Sequence, residues 1–117
     1  ALMLADAGQI DDETLVLHAH NVARDRMQRR RLSNTNILAQ ALRQVRCPVH
    51  VIYGEHDALY RSRFDELQAA VHATGCDCRG FTLIPGAGHW VQYEQPRAFG
   101  QALCAALAQH CTGPTPA

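Results

Sequence analysis

Two short apolar segments in the middle of the chain each run into a turn that contains glycine. Residues 49–53 (VHVIY) precede residues 54–57 (GEHD), and residues 81–84 (FTLI) precede residues 85–90 (PGAGHW). Apolar segments of this length, bounded by turn-forming residues, are typical of buried strands. The pattern therefore predicts two strands, each followed at once by ionisable side chains.

Helical periodicity surrounds these strands. An acidic start at residues 11–13 precedes apolar residues at helical spacing, which predicts a helix over about 11–31. Residues 33–36 are of the types that favour helix N-caps, so a second, shorter helix should follow and end before Pro48. Residues 1–9 are apolar and alanine-rich, which we interpret as the end of an upstream helix.

A third helix is predicted between the two strands, where an apolar stripe is formed by Phe64, Leu67 and Val71. Ser62 and Asp65 have the spacing of a capping box at the start of this helix, and Gly75 should lie near its end. The second strand then covers about 79–84. Pro96 suits the first position of a last helix, because proline lacks the N–H that a helix start leaves unpaired.

The order helix, helix, strand, helix, strand, helix predicts an α/β fold with two parallel neighbouring strands, joined by a right-handed crossover. The last helix should reach about residue 111. We divide the chain into helices of an N-terminal unit at 1–45, a strand–helix–strand–helix unit at 46–111 and a tail at 112–117.

Composition restricts the classes of function. The chain has 117 residues, which suits a single domain, and its formal net charge of 0 gives no electrostatic argument for binding nucleic acid or an anionic membrane. Its 5 cysteines are irregularly spaced, so we expect reduced thiols and a cytoplasmic location, with Cys104 and Cys111 as core residues. His18 and His20 are two positions apart and face different sides of a helix, and we predict no metal and no cofactor.

Asp57 and His89 follow the two predicted strands and should meet at one edge of the sheet. Parallel strands end at the same edge, where the sites of open α/β sheets form. A carboxylate that accepts the imidazole N–H fixes the tautomer and stabilises the imidazolium, while the other ring nitrogen faces a nucleophile. Taken singly, such residues are more often a turn cap and a surface histidine. Together, in the chain order acid then base, they predict the last two members of a hydrolytic triad.

The segment Pro48–Asp57 resembles the acid-bearing strand of the α/β-hydrolase superfamily, an apolar strand followed by G-x-x-D. The segment Leu83–Pro96 resembles its histidine loop, and the run GHW-x-Q-x-E within it is similar to that of the meta-cleavage-product hydrolases. The resemblance implies that Asp57 is the triad acid, that His89 is the base and that Trp90 lines the substrate pocket. It also implies that residues 1–45 are the rear part of a helical lid.

The first triad member is not in this sequence, which has no Gly-x-Ser-x-Gly. Its only serines are Ser33 and Ser62, and neither has the flanking glycines of a nucleophile turn. We therefore expect the C-terminal part of a hydrolase that cleaves a small carboxylic ester or a carbon–carbon bond, with its small-molecule substrate bound by the longer protein. A serine and an aspartate nucleophile both remain open. The alternative is an inactive binding or structural module that self-associates as a homo-oligomer.

Overall fold

The computed structural model describes residues 3–26 and 35–110. They form two parallel strands with flanking helices, which confirms the predicted part of an α/β fold. The strands are β1 (Val49–Gly54) and β2 (Cys78–Ile84). The helices are α1 (Asp12–Ala23), α2 (Ile37–Leu42), α3 (Phe64–His72), α4 (Val91–Glu94) and α5 (Pro96–His110).

The two strands pair in register from His50 opposite Gly80 to Gly54 opposite Ile84, with an irregularity between Val49 and His50. Both strands therefore end at the same edge, and the loops that follow them leave the sheet side by side. Helix α5 contacts both strands, and helix α3 packs against β2 and α2.

The buried centre of the fold lies directly beneath these loops. Ile84, Ala87 and Val91 are buried together, and the side chains packed against them are Ile52, Ala98, Phe99 and Ala102. The centre thus joins the end of β2, the following loop, α4 and the first half of α5. Burial of these apolar groups fixes the position of the loop that contains His89.

Two expectations for the N-terminal half need correction. Residues 3–6 are irregular and Ala7–Gln9 form a 3-10 turn, so the predicted upstream helix is absent from the described part of this segment. Helix α1 begins as expected after Asp11, but it ends at Ala23, and the N–H groups of Arg24 and Asp25 close its last turn. The remainder of the helix expected to residue 31 falls partly on residues 27–34, which lie outside the described residues.

The predicted capping box at Ser62 is wrong. Ser62 has φ 65°, and Arg63 takes the cap position of α3 without a side-chain hydrogen bond to the helix backbone. Its guanidinium instead binds Glu66 at 2.8 Å on the surface. Cys104 was expected in the core and is exposed on α5, whereas Cys111 lies outside the described residues. Pro96 is the first residue of α5, as predicted.

Candidate functional site

The loops after β1 and β2 are held together by backbone hydrogen bonds. The N–H of Glu55 donates to the carbonyl of Ile84 at 3.0 Å, and the N–H of His56 donates to that of Ala87 at 2.8 Å. These bonds continue the strand pairing beyond the sheet. In the second loop Gly86 has φ 70°, a left-handed conformation that glycine adopts without steric cost. The two loops therefore form one layer at the carboxyl edge of the sheet.

Asp57 is the most deeply buried polar side chain of this layer, with 1% of its surface exposed. Its Oδ1 atom accepts the N–H of Leu59 at 2.9 Å, which is the turn contact that an aspartate at this position ordinarily makes. Its Oδ2 atom lies 2.9 Å from Nδ1 of His89. The carboxylate therefore uses one oxygen to order its own loop and the other to hold the imidazole.

His89 lies at the surface of the same layer, with 34% of its side chain exposed. In the neutral imidazole, Nδ1–H donates to Asp57 and Nε2 keeps its lone pair, so Nε2 can accept a proton from a nearby hydroxyl group. The predicted contact between Asp57 and His89 is thus present in the structure. Their assignment as triad acid and base stays a prediction.

The charge of Asp57 also affects a neighbouring phenol. Burial raises the pKa of Tyr53, and Tyr60 and Asp57 raise it further. The rings of Tyr53 and Tyr60 meet edge to face, with centroids 5.2 Å apart. Tyr53 is therefore a neutral phenol around physiological pH.

Trp90 lies beside a small apolar cavity between residues 3–4, helix α1 and the histidine loop. The cavity measures about 180 Å³ and is lined by Met3, Leu4, Ile10, Thr14, Leu15, His18 and Trp90. The imidazole of His18 approaches the indole ring, with centroids 6.2 Å apart. Trp90 directly follows His89 in the sequence, but neither His89 nor Asp57 is among the residues that line the cavity. Its wall can accept an apolar group of a few carbon atoms.

Glu94 is the principal site residue whose contacts the sequence did not reveal. It is buried, with 6% exposure, and its Oε2 atom accepts the N–H of Gly88 at 2.6 Å. Its Oε1 atom accepts the N–H of Ala5 at 2.5 Å, although Ala5 is 89 positions away in the sequence. The signal available in the sequence was the glutamate of the GHW-x-Q-x-E run, two residues before the helix-starting Pro96.

The remaining candidates are exposed or lie outside the described residues. His20, His56 and His72 are exposed, and His56 lies 3.8 Å from the carboxylate of its neighbour Glu55. Ser62 occupies the exposed turn before α3, and Ser33 lies outside the described residues. Within 3–26 and 35–110, no group of three histidine, cysteine or acidic side chains is arranged to hold a metal ion. In the same ranges, every helix is too short or too polar to cross a membrane.

Comparison with known proteins supports one family. Neither the curated proteins nor the solved structures include a significant match to this chain. The sequence profile described as "Alpha/beta hydrolase family" matches residues 3–102, a range that includes the strands, both loops and the first part of α5, residues 96–102. The chain belongs to the α/β hydrolase family.

Proposed function

We propose that this chain provides the acid and the base of a hydrolase, with His89 as general base and Asp57 as the residue that orients it. The observation that supports this most directly is the 2.9 Å contact between Asp57 Oδ2 and His89 Nδ1, made by a carboxylate that is 1% exposed. A buried carboxylate in this position keeps the imidazole in one tautomer and stabilises the imidazolium that forms during proton transfer.

The reaction proposed is acyl transfer to a serine that lies outside these 117 residues. His89 Nε2 takes the proton of the serine hydroxyl as its oxygen attacks the substrate carbonyl, and the imidazolium then protonates the leaving group. In the second half, His89 takes a proton from the water that attacks the acyl-enzyme, and the imidazolium then returns a proton to the serine oxygen as the acyl–oxygen bond breaks and the carboxylic acid leaves. The backbone N–H groups that stabilise the oxyanion would also come from outside this sequence. An aspartate nucleophile is the other possibility for the missing residue.

The substrate proposed is a small carboxylic ester or a carbon–carbon bond activated by a conjugated carbonyl. Trp90 and the apolar side chains of Met3, Leu4 and Leu15 line one cavity, which could accept the apolar part of such a substrate. The GHW-x-Q-x-E run, similar to that of the meta-cleavage-product hydrolases, favours the carbon–carbon bond. In this proposal residues 1–45 form the rear part of a lid, and Trp90 contacts the substrate.

The test is to express the chain together with its adjoining coding sequence, where a Gly-x-Ser-x-Gly after an apolar strand is expected. With p-nitrophenyl acetate, His89→Ala and Asp57→Asn should each lower kcat by roughly 10³- to 10⁴-fold. His56→Ala is the matched control, because His56 is an exposed histidine on the same edge and should leave kcat unchanged. Full activity of His89→Ala would refute the proposal.

The 117-residue chain alone should neither turn over the ester nor react with a fluorophosphonate probe. Labelling that persists in Ser33→Ala and Ser62→Ala but disappears in His89→Ala would reveal a nucleophile within the chain. That result would contradict the proposed division of the triad between this chain and another segment.

The second candidate function is a structural or binding module that associates with further copies of itself. It is favoured by large aliphatic side chains that lie open to solvent, among them Val22 at 59%, Leu38 at 65% and Leu107 at 54% exposure. Where such side chains form one contiguous patch, the patch is typical of a surface that is buried against a partner. Sedimentation velocity distinguishes this candidate, because a self-associating module sediments as dimers or larger species.

A further inference from the structure

The carboxylate of Glu94 joins two segments that are far apart in the sequence. Its Oε2 atom accepts the N–H of Gly88, and its Oε1 atom accepts the N–H of Ala5, with the N–H of Asp6 at 3.4 Å. All three donors are backbone groups, and Glu94 is 6% exposed. An ionised carboxylate is an acceptor at both oxygens, so it can satisfy donors from two sides at once.

The N-terminal segment contacts the same loop a second time through Met3. The carbonyl of Met3 accepts the N–H of His89 at 2.9 Å and the N–H of Trp90 at 3.2 Å. The three consecutive amides from Gly88 to Trp90 are therefore all bonded, one to Glu94 and two to Met3. Packing here is tight, since a Cβ atom on Gly88 would lie 2.6 Å from the Ala5 nitrogen and 2.8 Å from Glu94 Oε2.

We propose that Glu94 is a positioning residue for His89. It does not act on the imidazole directly; it fixes the backbone on both sides of the loop, so that Nδ1 of His89 stays in contact with Asp57. Its catalytic consequence rests on the proposed function, whereas its effect on the geometry of His89 does not. An exchange of Glu94 for glutamine keeps the shape but turns an NH2 group toward one of the backbone N–H donors, which leaves that donor unpaired.

The experiment measures solvent exchange of the His89 Nδ1 proton by NMR in the 117-residue chain labelled with ¹⁵N-histidine. Glu94→Gln should accelerate this exchange about tenfold, because a buried donor left unpaired loosens the loop. Glu55→Gln is the matched control: Glu55 also accepts one backbone N–H of this loop, from Gly86 at 3.2 Å, but it is solvent-exposed. The control should change the exchange rate less than twofold. Asp57→Asn identifies the proton, because it replaces the acceptor.

Backbone amide exchange separates positioning from a general structural role. Faster exchange confined to residues 3–6 and 86–90 supports positioning, whereas equal acceleration throughout α5 would overturn it. If Glu94→Gln does not fold, Glu94→Asp serves instead, because it keeps the charge and shortens the side chain by one methylene group. In either variant, a wild-type rate at Nδ1 combined with faster exchange of the Gly88 amide would also overturn the proposal.

The outcome is independent of hydrolysis. The exchange measurement uses no substrate and no nucleophile. If the chain expressed with its adjoining coding sequence is inactive, but Glu94→Gln alters the exchange rate of the His89 Nδ1 proton, only the proposed function is refuted. If that longer protein is active, but Glu94→Gln leaves the exchange rate of the Nδ1 proton unaltered, only the positioning role is refuted. In a longer protein that includes the nucleophile, Glu94→Gln should lower kcat/KM, because it loosens both the loop of His89 and the segment with Met3 and Leu4 that lines the cavity.

Discussion

A Cβ atom at Gly54 would overlap the backbone carbonyl oxygen of Gly88. It would also lie 2.7 Å from the carbonyl carbon of Ala87, so the obstruction is backbone and cannot rotate away. Gly54 ends β1 three residues before Asp57, and Gly88 directly precedes His89. The close approach of these two glycines is therefore what allows the acid and the imidazole to meet.

Gly54→Ala should destabilise the fold by about 1–3 kcal/mol, because the added methyl group forces the two loops apart. It should also weaken the Asp57–His89 contact. Urea unfolding measures the first effect, and the exchange rate of the Nδ1 proton measures the second. Gly100→Ala is the control: it lies in α5, where a Cβ atom meets nothing within 4 Å. There the change should be neutral or stabilising by about 0.5–1 kcal/mol. Equal stability of the two variants would contradict this account.

The sequence was sufficient to predict the strands, their order and the edge where Asp57 and His89 meet. Each signal was local: an apolar run, a glycine turn and one ionisable residue. Pro96 likewise defined the start of α5, because the constraint that proline imposes is local too. The family follows from the same segments, since both loops lie within the matched range 3–102.

What the sequence did not reveal depends on contacts between distant residues. The bond from Ala5 to Glu94 spans 89 positions, and no periodicity encodes it. Met3 is a second example. Its carbonyl accepts the N–H groups of His89 and Trp90, whereas the sequence predicted that residues 1–9 belong to a helix. At Ser62 the pattern of a capping box was present, but the left-handed backbone at φ 65° moved the cap to Arg63. The prediction that Cys104 lies in the core was wrong for a related reason. Helical spacing shows which residues of α5 share a face, but it does not show whether another element packs against that face.

Thr14 and Tyr93 connect helix α1 to α4 through their hydroxyl groups, which lie 2.6 Å apart. Thr14 is buried, and its oxygen also lies 2.8 Å from Asp11 Oδ1 and 3.0 Å from the Gln9 carbonyl. Since both of those partners are acceptors, the threonine proton goes to one of them and Tyr93 donates to Thr14. A double-mutant cycle of Thr14→Val and Tyr93→Phe should give a coupling of about 0.5–1.5 kcal/mol in urea unfolding. Strictly additive effects would show that the two hydroxyl groups do not interact.

The N-cap of α1 gives a prediction for acidic pH. Hydrogen bonds from the backbone N–H and the hydroxyl of Thr14 lower the pKa of Asp11 below its ordinary value of 3.8. A carboxylate whose pKa is lower in the folded state stabilises that state above the ordinary value, and the contribution disappears as the pH falls through the lowered value. Helical circular dichroism should therefore decline below pH 3.8.

The Asp11→Ser variant tests this assignment, because serine caps a helix without a titrating charge. Its helical signal should lose less between pH 5 and pH 2 than that of the unmodified chain. An identical acid transition in both proteins would show that another carboxylate is responsible.

Self-association is expected for the 117-residue chain by itself. In the described part of the chain, the sheet consists of β1 and β2 alone, so each strand has a strand neighbour on one side only. Open strand edges and exposed aliphatic side chains both favour pairing with another copy. On α5, Leu103 and Leu107 are 40% and 54% exposed and lie one turn apart on the same face.

Sedimentation velocity at tens of micromolar protein should show dimers or larger species of the unmodified chain. Leu103→Gln combined with Leu107→Gln should shift the distribution toward monomer, because it removes the apolar stripe while keeping good helix formers. Gln101→Ala, an exposed change on the same helix, should leave the distribution as it is. A monomer at this concentration would contradict the self-association proposal. A double variant that still associates would instead place the contact at the strand edges, where a charged substitution such as Val49→Lys should then disperse the assembly.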